Sequence, residues 1–493
     1  MRRSARVAGA PVSDLARDAD RRVRTGGHVR AALLASAAVL LTACASYTPA
    51  PIDRKVSAGA FAARRLDAPA LQAEVARVAP QAAASWPPAE WDRASLLAVA
   101  LAQNASLAVA RAEVEAALAA EISAGEKPNP TLGLQSEYAR SEPDQWLYGV
   151  SYDFLLPRSA VGKLDIALAQ LGTGGARTEL TERTWSVRRT LIAALSDRES
   201  AARRVDVLAK LAAVQDRLID TRRQRVAAGE DASTDLNTAQ ATRIDIEQQL
   251  AQARANAATA QAAAAAALGM PPEALDGVTI VWSEWGDPPA LTAEGIAAAR
   301  EQALLSRADL AIAVNDYAKA ENRLERAIAR QYPQFEFKPG YYWDHGIAKW
   351  PLDVEFTLPF NRNRGEIAEA TAGRELAGQR MLALQATIYG EIEAAVRAEA
   401  VARANVDAAH ARARTVQQQL EHADVALRLG AGDRLDRTDA EVLARRADLE
   451  IVQAEADWQS ARNVLEDALR APLSGPELAL AKSLSVADPG AGR

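Results

Sequence analysis

The chain has 493 residues, of which 49% are hydrophobic and only 5% aromatic, and its formal net charge at pH 7 is -6. A chain of this length and composition can bury a large core, which excludes wholesale disorder, and its richness in Ala, Leu, Arg, Glu and Gln is typical of long helices and coiled coils. Its acidic balance does not supply the basic surface that nucleic-acid binding requires, so we predict no nucleic-acid partner.

The N-terminal region carries a predicted export signal. A basic stretch precedes 13 mostly apolar residues, 31–43, and then Cys44, the only cysteine of the chain. A bilayer-spanning helix needs about 20 residues, so this segment fits a cleaved secretory signal better than a membrane span. We assign the signal peptide to residues 1–43. Because residues 1–28 form a long and partly acidic leader, we expect them to be over-annotated and translation to begin near Val29.

The residues around the cysteine resemble a lipoprotein signal. The stretch LTAC, residues 41–44, resembles the bacterial lipobox, which implies cleavage before Cys44 and a covalent lipid on its thiol; no other cofactor is predicted. Ala45 follows the cysteine where an aspartate would favour the inner membrane, and this points to the outer membrane. The alternative is a small buried core cysteine. The proline-rich residues 44–93 are predicted to form an extended leash from the lipid to the first helix.

The rest of the chain contains an internal duplication. Residues 106–132 align with residues 309–335, and RVAAGED at Arg225 aligns with RLGAGDR at Arg428. The prolines and glycines stay in step with the apolar positions at offsets of 201 to 203 residues, which shared composition cannot explain. One half is therefore a copy of the other. The two repeats are assigned to residues 94–270 and 292–472.

Each repeat has the same predicted plan. A helix comes first, over about 95–123 and 292–330, and a proline, Pro130 or Pro333, follows it. The next stretches alternate in polarity and are rich in Tyr, Trp and Phe, which predicts two hairpins. The predicted strands are TLGLQSEY, WLYGVSYDFLL, QFEFKPGYYW and KWPLDVEFTL.

A run of more than 110 residues without proline follows each pair of strands, after Pro157 and after Pro359. Apolar residues spaced by three and four predict a coiled-coil seam in each run. The seams are Val207, Leu211, Val214 and Leu218, and Leu384, Ile388, Ile392 and Val396. Gly229 and residues 430–432 mark predicted turns, each followed by residues able to cap a second helix. The first helix would be about 100 Å long, with a predicted weak point at GTGG, residues 172–175.

The four predicted strands cannot close a membrane barrel within one chain. A bilayer accepts strands only in closed barrels, and the smallest of these have about eight strands. Three copies would supply twelve. The alternative is that the hairpins form small sheets in a soluble protein. The predicted fold class is therefore mainly α with a small β part, internally duplicated, with long coiled-coil helices and a shared transmembrane β-barrel.

Taken together, these features resemble the TolC-like outer-membrane efflux proteins. The resemblance covers residues 94–472 and rests on NASLAVARAEVEAA at Asn104, RADLAIAVNDYAKAENRL at Arg307, the two strand–proline–helix junctions and the two Arg-x-x-Ala-Gly turns. It implies a lipid-anchored homotrimer in the outer membrane, with a shared twelve-stranded β-barrel and a long α-helical coiled-coil barrel that extends into the periplasm. The trimer would dock on a periplasmic adaptor and an inner-membrane RND-type pump.

The resemblance also implies an activity, the exit duct of a tripartite efflux system for small molecules or metal cations. A type I secretion duct and a non-conducting periplasmic coiled-coil adaptor lipoprotein remain alternatives. The linker 271–291 and the tail 473–493 would form an equatorial belt around the helices, in which Trp282 and Trp285 would pack.

No catalytic chemistry is predicted. The four histidines are not spaced to share a helix face with carboxylates, there is no second cysteine for a zinc site, and the chain has neither a P-loop lysine motif nor GxSxG. We therefore predict neither an enzyme nor a metal site. The sequence does not reveal which substrate passes through the duct.

The predicted functional site lies just after the second turn. The family often places two aspartates three residues apart there, facing the tunnel axis, and Asp436 and Asp439 match that spacing. Residues three apart share a helix face, so threefold symmetry would gather six carboxylates at the periplasmic aperture, where they attract cations. Arg434 and Arg437 are candidates to hold the aperture closed. The alternative role of the two aspartates is helix capping.

Overall fold

The structure, a computed structural model, describes residues 47–84, 86–156 and 159–478. Cys44, the signal peptide, Pro157 and the end of the tail lie outside the described residues. The chain divides into two units, Met1–Ala60 and Phe61–Arg493. The first helix, α1 (Arg54–Ala62), begins in the first unit and buries none of its residues.

The segment that precedes the first repeat is folded, so the predicted extended leash is wrong there. Helix α2 (Pro69–Val78) and the single turn α3 (Pro80–Ala83) follow the start of the second unit. Leu71 and Val75, four residues apart, form an apolar face that is buried in the core. Both elements begin with a proline, a position where the missing N–H costs nothing. The prolines therefore start helices here instead of preventing them.

Each predicted first helix is two helices with a break between them. The first repeat has α4 (Arg93–Gln103) and α5 (Ala105–Gly125), which are bent by 49° at Asn104. Asn104 has an extended ψ of 122°, and its Oδ1 accepts a hydrogen bond from the Ser106 N–H at 2.9 Å. An asparagine that caps a new helix cannot also continue the old one.

The sheet follows, with five antiparallel strands. They are β1 (Thr131–Tyr138), β2 (Trp146–Leu156), β3 (Phe335–Asp344), β4 (Ile347–Lys349) and β5 (Leu352–Phe356). β1 pairs with β2, β2 with β3, and both β4 and β5 with β3. The two predicted hairpins are confirmed, but the fourth predicted strand is split at Pro351, which has no N–H for the ladder.

The long helices form two antiparallel hairpins. The first joins α6 (Ser159–Ala227, 69 residues) to α7 (Ser233–Leu268, 36 residues). The second repeat begins with α8 (Ala293–Ser306) and α9 (Ala308–Ala329), and its hairpin joins α10 (Arg364–Arg428, 65 residues) to α11 (Arg434–Leu469, 36 residues). The predicted glycine turns are confirmed, because Gly229 and Gly430 have φ of 75° and 68°.

The break in the second repeat repeats that in the first. Arg307, the counterpart of Asn104, separates α8 from α9, and its Nη1 donates to the Ala468 carbonyl at 2.6 Å. In the first repeat, Asn104 Nδ2 donates to the Ala267 carbonyl at 3.2 Å. The two repeats thus share this contact as well: in each, the residue at the helix break donates a hydrogen bond to a carbonyl near the end of the last helix, α7 or α11.

The predicted seams are buried at their centres. Ile388 and Ile392 are fully buried and Leu211 and Val214 are buried, whereas Leu384 and Val396 at the ends of the second seam are half-buried. In place of the predicted Val207, the adjacent Leu208 enters the seam. The predicted weak point at residues 172–175 is wrong, because α6 continues through it as helix.

A separate core surrounds the middle of the helices. Trp282 and Trp285 pack there with ring centroids 5.2 Å apart, as predicted, together with Leu96, Leu97 and the N-terminal Val75. Among the described helices, none is long and apolar enough to cross a bilayer alone, although the bent pair α4 and α5 meets the length and composition criteria jointly.

Candidate functional site

The sheet has two chemically different faces. Along β2, alternate residues from Trp146 to Phe154 are exposed, and all five are aromatic or valine. The strand registers place apolar residues of each of the other strands on this same face. For example, Leu134 lies opposite Val150, and Phe337 lies opposite Phe154. We call this the apolar face. Leu134 is 79% exposed, so the face is large and uncovered among the described residues.

The opposite face, which we call the polar face, carries charges and small residues. It contains six carboxylates and two lysines. The acidic residues are Glu137, Asp153, Glu336, Asp344, Asp353 and Glu355. Lys338 lies 3.0 Å from Glu355 and 3.5 Å from Glu336, and Lys349 pairs with Asp344. The polar face is therefore acidic, and both of its lysines are held by carboxylates of the same face.

The tip of the second hairpin contains the predicted aspartates. Asp433 caps α11, because its Oδ1 accepts from the Asp436 N–H at 2.8 Å, and the Asp436 carboxylate accepts from the Asp433 N–H at 3.4 Å. This is a reciprocal capping box. Asp436 thus has the capping role that the sequence left open as the alternative. In the first hairpin, the equivalent position is Ala232, which has no capping side chain.

Ion pairs join the first hairpin to the second at this tip. Arg222 of α6 lies 3.3 Å from Asp439 of α11, and Arg225 lies 2.7 Å from Asp433. Arg225 also donates to Asp231 at 3.0 Å. The sequence did not identify Arg222 and Arg225; the signal that could have found Arg225 is its place in the repeated Arg-x-x-Ala-Gly turn.

The pKa values of the two acidic partners of these arginines are shifted in opposite directions. The Asp436 backbone N–H and the Arg225 charge hold the pKa of Asp433 below its usual value, although partial burial opposes this. Burial raises the pKa of Asp439, and the negative charges of Asp436 and Asp433 raise it further, while Arg222 opposes the rise. The spacing of Asp436 and Asp439 on one helix is as predicted, but whether they face a tunnel axis stays a prediction.

The two arginines predicted to hold the aperture closed, Arg434 and Arg437, differ in their contacts. Arg434 is exposed. Arg437 donates to Asp424 at 2.7 Å and to Glu441 at 2.9 Å, both in its own hairpin. Arg437 therefore links α10 to α11 within the second hairpin, whereas Arg222, Arg225 and the nearby Arg217, which pairs with Glu441, join the two hairpins.

A buried charge cluster ties together distant parts of the chain at the equatorial core. Arg93 pairs with Glu284 of the linker at 3.2 Å and with Glu477 of the tail at 3.3 Å. Arg188 of α6 pairs with Glu477 at 3.1 Å and with Glu466 at 2.6 Å. Glu477 is fully buried, and burial raises its pKa against the attraction of the two arginines.

No group of residues suited to hold a metal ion is found in the part of the chain that the structure describes. No protein-family model matches the chain, and no curated protein matches it.

Solved structures of outer-membrane channels are similar to the chain. The outer-membrane channel OprN is 17% identical, with a TM-score of 0.63 over 86% of this chain and 98% of that one. The outer membrane protein VceC of Vibrio cholerae is 18% identical, with a TM-score of 0.61 over 76% and 95%. The open state of the MtrE outer membrane channel of Neisseria gonorrhoeae is 18% identical, with a TM-score of 0.59 over 76% and 88%.

Proposed function

We propose that this chain, which has the TolC-like fold of outer-membrane channels, is the exit duct of a tripartite efflux system. The observation that carries the proposal is the two-faced sheet. A soluble sheet buries its apolar face, whereas this one exposes a continuous face of Leu, Val, Trp, Tyr and Phe. The two central strands, β2 and β3, have 11 and 10 residues, which is long enough to cross a bilayer when tilted. The apolar face then contacts lipid and the polar face lines water.

The open edges of the sheet require further copies of the chain. β1 forms one edge, and β4 with β5 forms the other, so both edges have unpaired backbone groups that a membrane does not tolerate. The sheet is four strands wide, and three copies close it into twelve. The long hairpins α6–α7 and α10–α11 then extend into the periplasm as the wall of a tunnel.

The remaining assignments follow from this arrangement. The duct is an outer-membrane homotrimer without catalytic activity. A lipid on Cys44 anchors it, and a periplasmic adaptor and an inner-membrane RND-type pump deliver small molecules or metal cations to it. The tip with Asp436, Asp439, Arg222 and Arg225 forms the periplasmic aperture, and its two aspartates together with the acidic polar face favour cations.

A pair of neighbouring substitutions tests the proposal. Leu134→Arg places a charge on the apolar face, where an arginine at the bilayer midplane costs about 2–4 kcal/mol per chain. Gln135→Arg, one residue on, places the same charge on the polar face. We expect wild type and Gln135→Arg to insert into liposomes as trimers and to conduct in planar bilayers, and Leu134→Arg to fail to insert. Equal insertion of the two variants, or a wild-type trimer that does not conduct, would contradict the proposal.

A further inference from the structure

Two glycines lie in the middle of the sheet on its polar face. Gly149 is in β2 and Gly340 is in β3. Glycine is disfavoured inside strands, because it loses more backbone freedom than other residues and offers no side chain to pack. Neither of them has a positive φ, so backbone conformation does not explain the glycines. The two glycines must therefore be explained by a neighbouring group that packs closely against their backbone.

The ring of Tyr342 lies against both glycines. Tyr342 is directly opposite Gly149 in the ladder, and a methyl group added to Gly149 would overlap the Cδ1 and Cε1 atoms of the tyrosine. A methyl group on Gly340, two residues before Tyr342 on the same face, would lie 2.8 Å from its Cε2. The ring is therefore spread over the backbone of two strands, an arrangement that covers strand glycines with an aromatic ring.

Tyr342 is distinct among the polar-face residues. It is the single aromatic side chain among the described strand residues of that face. Its neighbour in β4, Lys349, is directly opposite it and is held by Asp344. The ring has space on the β2 side because Gly149, the residue directly opposite, has no side chain.

We propose that Gly149 is a positioning residue that holds the Tyr342 ring flat against the inner wall of the channel and so keeps the outer passage open. The inference rests on the proposed function, because it needs the polar face to line a lumen. A side chain at Gly149 would push the ring off the wall. Three copies would present three rings at one level, so a displacement in each chain would narrow the same cross-section three times.

The experiment measures the outer opening separately from the periplasmic tip. Poly(ethylene glycol)s of graded size are added to the side opposite the hairpin tips, where the sheet opens, and the largest size that still lowers single-channel current gives the diameter of the outer opening. We expect Gly149→Ala to lower this size limit, and the double variant Gly149→Ala/Tyr342→Ala to restore it. The matched control is Gly133→Ala on the same face, which meets the Ser151 hydroxyl, a group that can rotate away.

The outcomes separate the inference from the proposed function. A wild-type trimer that does not conduct contradicts the proposed function itself. Conducting trimers in which Gly149→Ala and Gly133→Ala have the wild-type size limit overturn only the inference, and so does a loss that Tyr342→Ala fails to rescue. If Gly149→Ala does not assemble, Gly340→Ala replaces it, since it meets the same ring, and the same rescue by Tyr342→Ala is required.

Discussion

Two aspartates three residues apart have different environments at the tip. Asp436 belongs to the capping box of α11, whereas Asp439 contacts Arg222 of another helix. The spacing of the two aspartates could be predicted from the sequence. Their partners could not, because Arg222 lies 217 residues before Asp439 and Arg225 lies 208 residues before Asp433. Such pairs depend on how the hairpins pack against each other, which helical periodicity alone does not specify.

The different environments predict that Asp439 dominates ion selectivity. Asp439→Asn removes a carboxylate that pairs with Arg222 and leaves the positive charge of that arginine unbalanced, so we expect it to lower the preference for cations and to weaken block by multivalent cations. Asp436→Asn should have the smaller effect, although the sequence alone treats both residues alike. Reversal potentials of single channels in a salt gradient measure this. Unchanged selectivity in assembled Asp439→Asn trimers would assign the residue to a purely structural role.

The lowered pKa of Asp433 predicts how the tip responds to acid. A carboxyl group whose folded-state pKa lies below its unfolded value, about 3.9, stabilises the fold above that value and loses this contribution as pH falls through the folded pKa. Asp433→Asn, which keeps a capping oxygen, should therefore reduce hydrogen-exchange protection of the first turn of α11 at neutral pH. The difference in protection between the variant and the wild type should vanish below the folded-state pKa of Asp433. A difference that stays constant with pH would contradict this assignment.

The opposite sign is expected for Asp439. Its raised pKa means that its contribution to folding is present below about 3.9 and is lost as pH rises through the folded-state value. Asp439→Asn should therefore not destabilise the tip at neutral pH, in contrast to Asp433→Asn. The same hydrogen-exchange experiment checks this, and a larger neutral-pH loss in Asp439→Asn than in Asp433→Asn would show that the Arg222 pair outweighs burial.

The helices and strands could be predicted well where one local pattern dominates. The strands β1 and β2 have the predicted boundaries, because alternation and aromatic content agree there. The break at Asn104 was missed although an asparagine before Ser106 is a recognisable cap. The break at Arg307 has no such local signal, because it depends on the distant carbonyl of Ala468.

The glycines of α6 were interpreted as a weak point, but one of them allows close packing. A Cβ on Gly175 would lie 2.6 Å from Asn315 Nδ2, which donates to the Leu171 carbonyl at 2.9 Å. Gly174 has open space around it. The tetrad thus combines the packing glycine Gly175 and the buried Thr173, which donates to Glu121, with two glycines, Gly172 and Gly174, that have open space around them.

A matched pair of substitutions distinguishes these two glycines. Gly174→Ala should stabilise α6 by about 1 kcal/mol, the difference in helix propensity. Gly175→Ala should give no such gain, because Asn315 must move and a hydrogen bond worth about 1 kcal/mol is lost. The unfolding rate of the oligomer at a fixed high temperature measures both. Equal slowing of unfolding by the two variants would mean that Asn315 adapts at no cost.

The assembled molecule follows from the edges of the sheet. β1 and β5 lie at opposite edges of one chain, so a disulfide between them can form only between copies. We expect the double variant Gln135→Cys/Asp353→Cys, with neighbouring pairs tried for register, to give covalent dimers and trimers on a denaturing gel. The largest covalent product on the gel should be the trimer. Larger products would indicate an open, growing sheet, and single cysteine variants serve as controls.

The least predictable part of the molecule is its N-terminal segment. Prolines suggested an extended chain, but Arg64 donates to the carbonyls of Gly269 and Gln103 at 2.7 and 3.3 Å, at the ends of α7 and α4. One side chain thereby satisfies two helix ends that lack intrahelical partners. Composition alone could not reveal this, since the acceptors belong to separate elements.

The buried Glu477 determines when the equatorial core can form during biosynthesis. Its carboxylate pairs with Arg93 and Arg188, so the equatorial core cannot be completed until residue 477 has emerged from the export machinery. Contacts of such long sequence separation are slow to form, and the apolar sheet stays exposed in the meantime. Until residue 477 has been exported, the chain therefore has an incomplete core and an exposed apolar sheet, and this is the period in which periplasmic chaperones can bind it.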